Sequence, residues 1–191
     1  MVGFLTTGLA RALCLGLMAA ALTACASAPA PMSGGWASAQ PTLPPPPYDP
    51  STPPRVADPR AHLQCVPFAR RASGVDIFGD ANTWWEQAEG RYPRSGTPAT
   101  GAVLVMRGYN DPSHGHVAVV THVDSSRMIR VDHANWLNNG EISTGVPVLD
   151  VSAANDWSEV RVWNIPGRHW GGRVYAAQGF IHPFALRLAL S

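Results

Sequence analysis

The sequence contains no lysine: all 14 of its basic residues are arginines, and 13 acidic residues oppose them. Charged residues make up only 14% of the 191 positions, and the formal net charge is +1. No strong positive field is available to attract nucleic acid or an anionic membrane surface, so neither is an expected partner. Cysteine is nearly as scarce, with Cys14, Cys25 and Cys65 alone. Three cysteines build neither a disulfide framework nor a four-cysteine zinc module. The longest apolar run falls short of the ~20 residues that a membrane-spanning helix requires. There is no internal repeat and no glycine-rich phosphate loop. Hydrophobic residues, at 46%, exclude a disordered polyelectrolyte and suffice for one well-filled core. A chain of this length holds one ordinary domain plus tails.

The amino terminus has the organisation of an export signal. Arg11 supplies a positive region, and Ala12 to Leu22 is an apolar stretch of signal-peptide length. It ends in Leu22-Thr23-Ala24-Cys25, which resembles a bacterial lipobox. That resemblance implies a signal peptide over residues 1–24, cleaved before Cys25, with lipid carried on Cys25. The alternative is an ordinary secretory cleavage after Ala26-Ser27-Ala28. The absence of aspartate after Cys25 implies, by the same resemblance, the periplasmic face of the outer membrane. A lipid anchor on Cys25 then holds the protein to the membrane without a spanning helix. Cys14 leaves with the signal. Cys65 is left unpaired in an oxidising compartment, either as a buried filler or as a reactive thiol.

Eleven of the 18 prolines lie between Pro29 and Pro59. Residues 25–60 therefore read as the lipidated terminus followed by a disordered proline-rich linker that builds no core. The folded domain is expected over 61–188. Cys65 to Ser73 suits a helix, with Pro67 in its first turn and Gly74 as its stop. Asp80 is a plausible cap for a second helix through Glu89. Valine-rich strands follow at Ala102–Arg107, His116–Val123, Arg127–Ala134 and Val160–Trp163, and a last one at Tyr175–Ile181. Asn138–Asp156 is polar and weakly periodic, and reads as a loop over the sheet edge. Helices first and strands after predict an α+β domain with N-terminal helices packed on an antiparallel sheet.

Cys65 falls at the predicted start of the first helix. Unpaired amides and the positive end of the helix dipole favour a thiolate there, and the same amides suit an oxyanion. Gln64 can add an amide donor beside it. His116 opens a strand directly after Gly115, where a histidine is a credible general base. Along the neighbouring strand Ile129, Val131, His133 and Asn135 share one face, and Met128, Arg130, Asp132 and Ala134 share the other. The apolar pair marks the first face as buried. His133 is therefore the expected orienting partner of His116, with Asn135 in support. A register slip of one residue presents Asp132 instead.

Taken in order, Cys65-Val66-Pro67-Phe68-Ala69, Gly101-Ala102-Val103-Leu104-Val105, Gly115-His116-Val117-Ala118-Val119-Val120 and Asp132-His133-Ala134-Asn135-Trp136 resemble a CHAP domain. The name stands for cysteine- and histidine-dependent amidohydrolase/peptidase. The resemblance spans roughly residues 61–183. It implies a papain-like fold of the NlpC/P60 type and a peptidoglycan substrate. The activity it implies is hydrolysis of an amide bond, either an N-acetylmuramoyl-L-alanine amidase or an endopeptidase. Cys65 falls on the nucleophile, His116 on the base and Asn135 on the asparagine before a tryptophan. The position two before that asparagine is usually acidic, whereas here it is His133. No cofactor and no metal is expected. In particular, Arg55–Gln64 holds a single aspartate, Asp58, too few for a calcium loop.

Other readings compete. A zinc site of His114, His116 and His133 is geometrically possible. Trp136 suits a groove wall, whereas Trp84, Trp85, Trp163 and Trp170 suit core positions. The departure at His133 also fits a catalytically weak or inactive lipoprotein that binds the cell wall as a scaffold or regulator.

Overall fold

The computed structural model describes residues 52–184. The elements in chain order are β1 (Arg55–Asp58), α1 (Cys65–Ser73), α2 (Trp84–Gln87), β2 (Arg94–Ser95), β3 (Val103–Arg107), β4 (Gly115–Ser125), β5 (Met128–Ala134), β6 (Ile142–Asp150), β7 (Glu159–Asn164), β8 (His169–Trp170) and β9 (Tyr175–Ile181). The leader, Cys25 and the linker up to Ser51 lie outside the described residues.

Six strands close on themselves. The order β6–β5–β4–β3–β9–β7 is completed by pairing of β7 back to β6, and every pair is antiparallel. Strand β1 extends the ring beside β6, β2 lies on β9, and β8 on β7. Alternating residues of the ring face inward, as a barrel requires. Leu104 and Met106, Ala118 and Val120, Ile129 and Val131, Val146 and Val148, Val160 and Val162, and Phe180 form one buried cluster. The outward residues of β3 and β4 form a second. Val103, Val105, Val117 and Val119 pack there against Ala69 of α1, Trp84 of α2, and Val75 and Ile77 between the helices.

This architecture corrects the expected fold class. The domain is mostly β, a closed six-stranded antiparallel barrel with two short helices, and not an α+β papain-like sheet carrying N-terminal helices. Two local misreadings account for the difference. The Asn138–Asp156 segment, expected as a loop, contains the nine-residue strand β6, without which the ring does not close. Its alternation is hidden by Gly145, held at φ +64°, and by Pro147, which has no N–H to give the ladder. The second helix is cut to four residues because Ala81–Thr83 turns as a 3-10 segment, and Asp80 makes no side-chain cap. Structure also begins before Ala61, since Arg55 and Val56 pair with Thr144 and Ser143.

Helix α1 has the expected bounds. Gly74 ends it at φ +78°, donating its N–H to the Arg70 carbonyl at 2.9 Å, a left-handed stop that glycine reaches without strain.

Candidate active site

Strands β3, β5 and β7 end, and β4, β6 and β9 begin, at one mouth of the barrel. There lies an open cleft of about 750 Å³. Gln64, Cys65, His116, Asn135 and Trp136 all line it. Five residues singled out from the sequence thus converge, although up to 72 positions separate them.

Cys65 is a half-buried free thiol at the first position of α1. Gln64 before it is extended and makes no side-chain cap, so the first amides of the helix stay uncapped by it. Burial raises the thiol pKa above its ordinary value. The backbone N–H groups of Val117, Val66 and Cys65 itself act against that rise. The Val117 contact shows where α1 docks, with its leading end over the start of β4.

His116 belongs to the inward row of β4 and reaches the same cleft from inside the barrel rim. Continuing the Val119–Asp132 pairing sets Ala118 opposite His133, which makes His116 and His133 diagonal neighbours. Their rings meet edge to face, with His116 Nε2 and His133 Nδ1 3.1 Å apart. Burial pushes the His116 pKa down to about 3. His133 is held well below its ordinary value, first by burial and then by the neighbouring His116. Both rings are therefore neutral near pH 7.

Asp132 shares the outward row with Val119 and turns away from His116. Its carboxylate accepts the Gly145 N–H at 2.7 Å, and burial raises its pKa. The ring of Trp136 stacks on His133 at 5.4 Å and lies edge-on to His116 at 4.8 Å. Gly115 serves the scaffold. A Cβ there would meet the Asn82 backbone nitrogen at 2.7 Å, so glycine lets the 3-10 turn close against β4. His114, a member of the zinc alternative, is engaged by the Asp111 carboxylate at 2.7 Å. Among the described residues no three His, Cys, Asp or Glu side chains are grouped to hold a metal ion.

The loop from Asn135 to Glu141 ties the two halves of the site together. Asn135 donates from Nδ2 to Gln64 Oε1 at 2.7 Å and accepts the Gly140 N–H at 2.8 Å. Leu63 donates its N–H to the Gly140 carbonyl at 2.9 Å. Sequence reasoning missed Glu141, which organises this loop. It is 2% exposed; its carboxylate accepts the N–H groups of Leu137 and Asn139, and its carbonyl accepts that of Asn135. The available signal was the Asn138-Asn139-Gly140 turn followed at once by an acid. Asn135, Asn138 and Gly140 all take positive φ. Arg107, Tyr109, Arg173 and Tyr175, also at the cleft, were missed as well.

A histidine and a helix-terminal thiol that open into one cleft are the two groups that cysteine-dependent acyl chemistry needs. The CHAP domain family model matches residues 56–135, from β1 to the asparagine after β5. That family is typically one of hydrolases, amidases and peptidases, and the match puts the chain, at that coarse level, among enzymes. Strands β6 to β9, which close the barrel, follow the matched segment.

Proposed function

We propose that this protein is a cysteine hydrolase of peptidoglycan amide bonds, with Cys65 as nucleophile, His116 as base and His133 as the residue that positions His116. The observation that carries this reading is the opening of Cys65 and His116 into one cleft while His116 Nε2 is held by a buried partner, His133 Nδ1. With Nε2–H donated to His133, the lone pair of His116 lies on Nδ1, the nitrogen left for the thiol. His116 Nδ1 takes the Cys65 proton, and the thiolate attacks the amide carbonyl carbon. The Cys65 backbone N–H and the Gln64 side-chain amide, oriented by Asn135, face the developing oxyanion. The imidazolium then returns its proton to the leaving amine as the C–N bond breaks. Water hydrolyses the thioester by the same proton path in reverse.

Both groups rest in their neutral forms, because burial disfavours thiolate and imidazolium alike. The ion pair is then formed on the reaction path, and among the described residues no carboxylate touches His116 to help it form. That specific feature favours a second reading, a slow or inactive wall-binding protein.

The leader and Cys25 extend the proposal to an exported, lipid-anchored protein acting from the periplasmic face of the outer membrane. The proline-rich linker carries the domain toward the wall, and the substrate bond is that of an amidase or an endopeptidase. The test is digestion of purified peptidoglycan by wild type and Cys65→Ala protein, with released fragments identified by mass. Release by wild type alone supports the hydrolase and names the bond. Release by both variants overturns the mechanism. Release by neither, with the protein still sedimenting with the wall, favours the binding protein.

A further inference from the structure

We infer that the cleft takes a substrate carrying a free carboxylate as well as the scissile amide, and that Arg173, assisted by Arg107, binds that carboxylate. The inference rests on the proposed hydrolase reading for the word substrate, but the binding it describes does not require turnover.

Both arginines line the same cleft as Cys65 and His116. Arg107 ends β3 two residues before Tyr109, and the Arg173 guanidinium lies over the Tyr109 ring, 4.9 Å from its centre. The same tyrosine edge-packs on Tyr175 at 5.7 Å, and Tyr175 lies 5.1 Å from Trp136, which borders His116. A continuous row of rings thus sets the position of Arg173 relative to the reactive pair. Stacking orients the plane of a guanidinium and leaves its N–H edge available, the arrangement that suits a bidentate carboxylate.

The other arginines near acids are already used. Arg70, Arg94, Arg127 and Arg130 pair with Asp76, Glu89, Asp150 and Asp124. Arg107 and Arg173 have no carboxylate partner among the described residues. The one acid in the cleft, Asp111, is engaged by Ser113 and His114 of its own turn. The cleft therefore holds two uncommitted guanidinium groups and no uncommitted acid. Its volume of about 750 Å³ is in the range of sites for ligands of a few residues. A neutral amide gains nothing from that imbalance, whereas an anionic peptide does.

The test measures binding on the full-length Cys65→Ala chain, so that hydrolysis plays no part. The probes are acetyl-L-alanyl-γ-D-glutamyl-L-alaninamide, whose single carboxylate is the glutamyl α-carboxylate, and its carboxamide twin. NMR titration reads affinities down to the millimolar range. The carboxylate peptide should bind about tenfold tighter or more than the carboxamide, as a charge-assisted pair predicts. Adding Arg173→Gln should bring the ratio close to one, with Arg173→Lys in between and Arg107→Gln giving a smaller loss. Arg71→Gln, on the exposed face of α1 and outside the cleft, should leave the ratio unchanged. Equal binding of the two probes, no binding of either, or a preference that survives Arg173→Gln and Arg107→Gln together overturns the inference. Failure of wild type protein to digest peptidoglycan would count against the hydrolase reading alone.

Discussion

His116 Nε2 lies 3.1 Å from Nδ1 of His133, a contact at the barrel mouth between the half-buried ring of His116 and the buried ring of His133. One nitrogen must donate and the other accept. If His116 is to keep an acceptor for the Cys65 proton, it donates from Nε2, and His133 then carries its own proton on Nε2. That atom is buried without a hydrogen-bond partner among the described residues. The crevice beside it, bordered by Trp136, Ser143 and Trp163, has no space for a water molecule. A buried unsatisfied donor costs about 1–3 kcal/mol. In that tautomer, the one the proposed reaction uses, the site accepts a destabilising group to hold His116.

The choice between the two candidate orienting residues is testable by activity. His133→Ala should lower kcat on peptidoglycan by about 100-fold or more, in the range lost with other acid–base catalysis elements. Asp132→Asn, on the outward row, should change it by less than about threefold. The reverse order would show that Asp132 orients His116.

Restoring a negative partner should alter the pH profile. In His133→Glu protein a carboxylate replaces the neutral ring, which favours the His116 imidazolium. The acid limb of kcat/KM should move to higher pH by roughly one to three units. An unmoved limb would mean that His116 does not control it.

Both histidines titrate at lower pH in the folded protein than in the unfolded chain. Between the ordinary histidine value of 6.5 and about 3 for His116, the unfolded state binds more protons. Stability is therefore complete above pH 6.5 and is lost as pH falls through that window, by at most about 1.4 kcal/mol per pH unit per histidine. Denaturant midpoints measured from pH 7 to pH 4 should fall accordingly. His116→Asn should flatten the slope, and an unchanged slope in that variant would sink the assignment.

Alkylation of Cys65 by iodoacetamide reports its thiolate. Because burial outweighs the surrounding amides, the rate should keep rising with pH beyond the ordinary thiol pKa, without a plateau near neutrality. A plateau reached below pH 7 would reveal a resting thiolate–imidazolium pair.

Glu141→Gln should weaken the loop that links Asn135 to Gln64. Two backbone N–H groups lose a charged acceptor, at a cost of about 1–3 kcal/mol in stability. kcat should fall more steeply than KM changes, because the Gln64 amide loses its orientation while the cleft residues outside the 135–141 loop keep theirs. A proportionate loss in both constants would assign Glu141 a purely structural role.

The candidate site residues were legible in the sequence because each carries a local signature. Cys65 begins an amphipathic nine-residue segment closed by Gly74, and alternation along β5 puts Ile129, Val131 and His133 on one buried face. Those rules depend on residues within one or two turns of each other. The closure of the barrel does not. Strand β6 carries Gly145 and Pro147, which break its pattern, and it is a strand because β5 and β7 pair with both of its edges. The same holds for the cleft wall. Nothing near Arg173 in the chain announces that its guanidinium will stack on Tyr109, or that Glu141 will be buried under the loop before it. The sequence by itself determined the candidate side chains and the strand face on which His133 stands. Only the tertiary structure decided that the sheet closes, that its mouth is the cleft, and which residues far apart in the chain line it, because long-range pairing and burial are set by partners that no local window contains.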